Sequence, residues 1–219
     1  MQDKKLQRIC KRLIDIIVSV AAIVILFPLW VFIAIAIKVT SPGSVLYKTQ
    51  TVGKGGDEFT IYKFRTMYTN NDDTIHRVFI ENYVKNNQPF SVVGNGNGKG
   101  KRIYKVINDH RVTHIGGILR RTGLDELPQF FNVIRGEMSI VGPRSPRPFE
   151  FIHYENWHKK RIDVLPGITG LYQVTARSMV PFDKMVKLDL EYIEKWSLWL
   201  DIKIMVKTIP VMIMMKGGY

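Results

Sequence analysis

The sequence predicts an α+β protein with a membrane anchor, and three observations carry that reading. An apolar run from Leu13 to Ile37 is long enough to be a bilayer helix. Val45 to Gln50 and Phe59 to Phe64 read as short strands on either side of a glycine turn at Gly53 to Asp57. Apolar residues recur at helical spacing in two later segments, Leu127 to Ile134 and Met185 to Trp196.

The chain of 219 residues is long enough for one compact domain plus an anchor. Lys4, Lys5, Arg8, Lys11 and Arg12 lead into the apolar run, and one charge, Asp15, breaks it near its start. A secretory signal has a shorter apolar core and a small-residue cleavage site. This run ends instead in Lys38-Val39-Thr40-Ser41-Pro42-Gly43, so it is expected to be retained. A spanning helix carries its Lys/Arg excess on the cytoplasmic side only, whereas Lys38, Lys48, Lys54, Lys63 and Arg65 make the second flank basic too. Pro28, near the middle, removes a backbone donor and clashes with the preceding turn, so a kink is expected there. Two topologies fit these residues about equally: a re-entrant hairpin with both ends cytoplasmic, and a spanning helix with a tolerated proline.

The net charge of +13 points to an anionic environment: phosphates, nucleic acid or an anionic lipid surface. No nucleic-acid-binding motif accompanies it, so a nucleic-acid partner is not expected. Cys10 is the only cysteine, which excludes an intrachain disulfide and argues against thiol catalysis.

From Tyr68 to Asp109 the chain is polar, with a helix expected around Ile75 to Lys85. The glycine run from Gly94 to Lys101 matches neither phosphate-binding loop pattern and reads as a flexible loop. Beyond Gly123 a helix is expected to start at Asp125, as its cap, with Pro128 in the first turn and Gly136 at its end. A further helix is expected from Phe182 to Trp196. In Trp199 to Lys207 aromatic and apolar residues alternate with lysines, which suits an interfacial amphipathic helix and a core helix equally.

The densest chemistry lies in Arg120-Arg121-Thr122-Gly123-Leu124-Asp125-Glu126-Leu127-Pro128. Two arginines and a helix start can hold phosphate oxygens. The same field favours an ionised Asp125 as nucleophile, and Glu126 beside it can hold a divalent cation. On residue chemistry alone the plainer reading is favoured, with Asp125 a cap and the arginines solvated. His110 and His114 stand four apart but lack a metalloprotease context and read as surface residues.

Taken in order, K-R-L-I-D-I-I (11–17), S-P-G-S-V-L-Y-K (41–48), I-Y-K-F-R-T-M (61–67), the long block from Asp109 to Arg144, L-P-G-I-T-G-L-Y-Q-V (165–174) and L-D-L-E-Y-I-E-K-W-S-L-W-L-D-I-K-I (188–204) cover nearly the whole chain. In these stretches it closely resembles the bacterial sugar transferase family, the monotopic phosphoglycosyl transferases that use a polyprenyl-phosphate acceptor, in its small single-domain form. The resemblance implies a re-entrant helix-break-helix anchor over 1–40 with its break at Pro28. It also implies a membrane-interface catalytic domain over 41–219, with a small sheet and interfacial amphipathic helices. Asp125 would attack the β-phosphate of a UDP-sugar and expel UMP, and undecaprenyl phosphate would then take the sugar-phosphate from it. Glu126 would bind Mg²⁺. Lys63 and Asp189 would belong to the catalytic set, and Arg65, Arg120, Arg121, Pro143 and Arg144 to the phosphate and nucleotide side.

The family's proline-arginine element commonly continues P-R-P, but here Pro143-Arg144 is followed by Ser145 and the triplet stands at Pro146-Arg147-Pro148, so Arg144 and Arg147 both stand as candidates. The stretch from Tyr68 to Asp109 is longer than in compact members, which suits sugar choice or a partner contact. The implied setting is the cytoplasmic face of a bacterial inner membrane, at the first membrane step of a surface glycan such as capsule, O-antigen or exopolysaccharide. Membrane lipid, a homodimer mate and downstream glycosyltransferases are the implied partners. The competing reading is a non-enzymatic, membrane-anchored scaffold, which UDP-sugar turnover would separate.

Overall fold

The computed structural model describes residues 2–69, 72, 74–93, 101–104, 109–176 and 179–213. Of the loop expected over 94–101, residues 94–100 lie outside them and Lys101 begins a strand. The elements run α1 (Gln2–Thr40), β1 (Leu46–Val52), β2 (Glu58–Phe64), α2 (Thr74–Asn86), β3 (Ser91–Val93), β4 (Lys101–Ile103), α3 (His114–Thr122), α4 (Phe130–Arg135) and β5 (Ser139–Val141). They continue with α5 (Pro148–Phe151), α6 (Asn156–Lys159), β6 (Gly167–Thr169), α7 (Leu171–Thr175), α8 (Phe182–Glu194) and α9 (Leu198–Ile213). The fold is mixed helix and strand, as the periodicities predict. In place of one small sheet, the described strands form three two-stranded pairs: β1 with β2 and β3 with β4 antiparallel, and β5 with β6 parallel.

α1 is helical through Pro28. It is long and apolar enough to cross a membrane, and only 11% of its most apolar 18-residue stretch is buried, unlike a core helix. Leu13, Ile17, Val24, Ile25, Phe32 and Ile35 face outward, each more than half exposed. The other side meets the rest of the protein near both ends. Lys11, Arg12 and Asp15 reach Asp201, α4 and β5, while Ile33 and Ile37 pack with Phe64, Leu119 and Leu127. Ser41-Pro42-Gly43 ends the helix, with Gly43 at φ +113° where a side chain would be strained.

β1 and β2 pair from Leu46 opposite Phe64 to Val52 opposite Glu58. β2 sends Ile61 into a core made with Val133, Met138, Ile140, Val141, Tyr192 and Ile204. A second core joins α2 to α8, with Phe79, Tyr83 and Val84 against Phe182, Met185 and Val186. The long segment after β2 is thus an integral layer of the domain. α9 resolves an even choice in both directions: Asp201 and Ile204 are buried, while Trp199, Ile202, Val206 and Ile209 form an exposed apolar face.

Candidate active site

β2 delivers Lys63, and the turn after α3 delivers the dyad. Thr113 caps α3, its Oγ1 accepting from Gly116 N at 2.9 Å. The helix closes on Gly123, whose left-handed φ of 76° reverses the chain. The next element is a 3₁₀ turn, Leu124–Gln129, which runs into α4. Asp125 is therefore not the cap expected of it. Gly123 precedes the turn with no side-chain cap, and Asp125 and Glu126 lie inside the first turn. The two helical segments meet at one glycine, which leaves no extended residue to serve as a capping position.

Lys63 Nζ lies 2.6 Å from Glu126 Oε1, with both side chains about one-third exposed at 30% and 35%. Burial opposes ionisation of Glu126, but Lys63, with Arg144 and a hydrogen bond from Gln129, outweighs it and holds the carboxyl below the usual glutamate range. Arg120 feels the charge of Asp125; burial presses its guanidinium below the ordinary arginine range while Asp125 and Asp109 pull it back up. Arg147 lies close enough to act on Arg120 as a like charge. Lys63 and Arg144 thus act on Glu126, and Arg120 on Asp125. A Cβ on Gly116 would collide with the carbonyl of Thr66, so α3 can approach β2's exit only as glycine allows, and Arg120 Nε donates to Thr66 Oγ1 at 2.8 Å.

The segment from Pro143 to Pro148 is fixed through its backbone. Pro143 O accepts from Gly167 N at 2.9 Å, and Pro146 O accepts from Val52 N at 2.9 Å and from Thr51 Oγ1 at 2.8 Å. A Cβ on Gly167 would run into the backbone nitrogen of Gly142, so this close approach requires glycine. Arg144 is left with an exposed side chain. Of the two candidate arginines, Arg144 acts electrostatically on Glu126, while the Arg147 guanidinium lies over the Phe149 ring, 5.8 Å from its centroid.

The structure separates the remaining expected site residues. Asp189 is 1% exposed and stands behind the site, in an ion pair of 2.6 Å with Arg161. Arg161 donates to Arg144 O at 2.9 Å and to Tyr154 Oη at 2.7 Å, and Tyr154 donates to Glu150 Oε1 at 2.8 Å. One helical turn on, Tyr192 Oη lies 3.0 Å from Val141 O. Residues three apart on a helix share a face, so the D-x-x-Y pair grips both ends of the 141–144 segment. Pro143 is fully buried and shapes that segment. Arg65 is also buried. It donates to Ser41 O at 2.8 Å and to the carbonyl of Pro42, which ties the end of α1 to β2. Arg121 is exposed and bonds back to Gly117 O at 3.3 Å. His110 and His114 are exposed.

Arg161, Tyr154 and Glu150 were not anticipated, nor were the roles of Lys11, Arg12 and Asp15. Among the described residues no cluster of three His, Cys, Asp or Glu side chains could cage a metal. A single carboxylate can still hold Mg²⁺, which usually completes its shell with water and substrate phosphates.

A helix-anchored α+β protein with adjacent carboxylates set among cations is the class that fold and site define. The chain belongs to the bacterial sugar transferase family, whose model matches residues 6–215. It is 35% identical over 211 residues to the exopolysaccharide production protein ExoY of Sinorhizobium fredii, covering 96% of this chain and 88% of that one. It is 39% identical over 219 residues to the UDP-glucose:undecaprenyl-phosphate glucose-1-phosphate transferase of Xanthomonas campestris pv. campestris, covering 96% of this chain and 40% of that protein. With the undecaprenyl-phosphate galactose phosphotransferase of Salmonella typhimurium the identity is 36% over 217 residues, 99% of this chain and 43% of the relative. The chain therefore spans most of the ExoY protein and about two-fifths of the two longer relatives.

Proposed function

We propose that the protein transfers a sugar-1-phosphate from a UDP-sugar to undecaprenyl phosphate, releasing UMP, as the first membrane step of a bacterial surface glycan pathway. The observation that carries this reading is the placement of Lys63 and Arg144 against Glu126 and of Arg120 against Asp125, in a chain whose relatives carry such activities in their names. A carboxylate oxygen of Asp125 attacks the phosphorus that bears the sugar, and the bond to the UMP phosphate breaks with its electron pair leaving on UMP. An oxygen of undecaprenyl phosphate then attacks the same phosphorus, displaces the Asp125 carboxylate and forms the polyprenyl diphosphate sugar.

The cations hold the donor's pyrophosphate where its own charge would repel an attacking carboxylate. Lys63 keeps Glu126 ionised and oriented, and Glu126 would hold Mg²⁺. Bound there with the donor, the ion supplies charge screening of the pyrophosphate.

The anchor is read as re-entrant, with both its ends and the catalytic domain on the cytoplasmic face, where UDP-sugars are made, although α1 runs on as helix through Pro28 and the break expected there is not seen. Support comes from the two contact regions of α1. Asp15 and Ile37 are 22 residues apart, about 33 Å along a straight helix, and both are held by the same domain. A helix leaving the domain to cross the bilayer would be held at one end. The test is a panel of UDP-sugars with undecaprenyl phosphate in detergent, read by UMP release. Turnover of at least one donor supports the proposal, and none across the panel overturns it.

A further inference from the structure

The K-R-L-I-D turn at the start of the apolar run has a role that flanking charge does not explain. Topology needs only basic residues near the membrane, with no fixed partner. Lys4, Lys5 and Arg8 fit that description, being exposed. Lys11, Arg12 and Asp15 are engaged, each with backbone more than 120 residues away. Arg12 Nη1 donates to Val133 O at 2.6 Å and its Nη2 to Ile134 O at 2.9 Å. Those are carbonyls in the last turn of α4, where a cation complements the helix dipole. α4 continues directly from the 3₁₀ turn that carries Asp125 and Glu126.

Lys11 Nζ donates to Val141 O at 3.1 Å and to Asp201 Oδ2 at 2.7 Å. Asp15 Oδ1 accepts from Ile140 N at 3.1 Å. Asp15 and Asp201 are each 4% exposed. Val141 is the last residue of the strand that leads into Gly142-Pro143-Arg144, and Tyr192 reaches the same carbonyl and Asp201 Oδ1 at 2.8 Å. One turn of the anchor therefore grips both halves of the site, the dyad's helix through Arg12 and the arginine segment through Lys11 and Asp15. At the edge of a bilayer few waters replace such bonds if they are lost.

We propose that Lys11, Arg12 and Asp15 are positioning residues that set the separation between the Asp125-Glu126 turn and the Pro143-Arg144 segment, so that the seating of the anchor tunes donor binding. This deepens the reading of the site as a UDP-sugar transferase and rests on it for the identity of the donor. It predicts a physical coupling that needs no substrate to observe. Small displacements of positioning groups are costly because phosphate-binding geometry is demanding.

The experiment uses the full chain in detergent or nanodiscs, with Asp15→Ala, Asp15→Asn, Lys11→Met, Lys11→Arg and, as a control on an exposed residue, Lys5→Met. Hydrogen exchange without substrate should rise in both 122–135 and 139–147 for Asp15→Ala and Lys11→Met, while the α2 and α8 core keeps its protection. In UDP-sugar turnover the same two variants should show a KM raised roughly tenfold or more. Asp15→Asn, which keeps the acceptor for Ile140 N, and Lys11→Arg should recover most of the loss. If Asp15→Ala fails to accumulate, Lys11→Met carries the test, since Lys11 is only partly buried. Faster exchange confined to α1 or spread over the whole domain, or a rescue that never appears, would overturn the proposal. Absent turnover by the wild type strikes the assigned reaction instead, and the exchange pattern still decides the coupling.

Discussion

Lys63 Nζ and Glu126 Oε1 stand 2.6 Å apart, joining β2 to the dyad turn. Because Glu126 is held below the ordinary glutamate range by Lys63 against burial, the stability it adds is present above the unfolded-state value of about 4.3 and is lost as pH falls through the lower folded value. Glu126→Gln should cost about 1 kcal/mol or less at neutral pH, the side chains being one-third exposed. Thermal unfolding of the two proteins should converge as pH falls through the folded value of Glu126. A gap that widened in acid would contradict this.

Asp189 and Arg161 present the opposite case, a pair that is 1% exposed on each side. Removing one partner leaves a buried charge, so Asp189→Asn and Arg161→Met should each destabilise by about 3–5 kcal/mol. The double variant Asp189→Asn/Arg161→Met should cost less than the sum, because both charges leave together. Simple additivity in a denaturant series would show that the pair is not coupled. Loss of donor affinity should accompany the single changes, since Arg161 holds Arg144 O.

Much of this was readable from the residues, and the failures have a common cause. The strand pair, the helix after Tyr68 and α8 followed from local periodicity, and no long-range information was needed. Lys63 and Glu126 are 63 positions apart, and only the family resemblance joined them before the fold did. The resemblance puts Asp189 in the catalytic set, whereas its burial and its pairing with Arg161 come only from the fold. The three-residue spacing to Tyr192 is a signal that both serve one helix face, and that signal was available. Lys11, Arg12 and Asp15 were read as flank and interruption. A carboxylate at the edge of an apolar helix is costly without a partner, so Asp15 itself pointed to a distant contact that sequence could not name.

Metal dependence should follow the donor. With no three-residue cage among the described side chains, Mg²⁺ alone should barely shift the unfolding temperature, whereas Mg²⁺ with UDP-sugar should raise it clearly. Chelator should abolish UMP release. Full activity after exhaustive chelation, or strong stabilisation by Mg²⁺ alone, would count against the assignment to Glu126 and donor phosphates.

Anchor topology is open to labelling. In a Cys10→Ser background, single cysteines at Leu6 and at Tyr47, both exposed, should react only from the cytoplasmic side of sealed vesicles. Pro28→Leu should favour a spanning form and lower activity. Labelling of position 6 from the outside in the wild-type anchor would establish a spanning helix.

Asp125 is the proposed nucleophile, and intact-mass measurement under single-turnover conditions tests that role most directly. UDP-sugar without acceptor should release one equivalent of UMP and leave the protein heavier by one sugar-phosphate, and undecaprenyl phosphate should then remove that mass. Asp125→Asn, which keeps size and hydrogen-bonding oxygen but loses the nucleophilic charge, should fold normally and show neither adduct nor turnover. An Asn variant that still transfers, or a wild type that turns over with no acceptor-sensitive adduct at any time point, would mean that donor and acceptor react directly and that Asp125 serves the turn and not the chemistry.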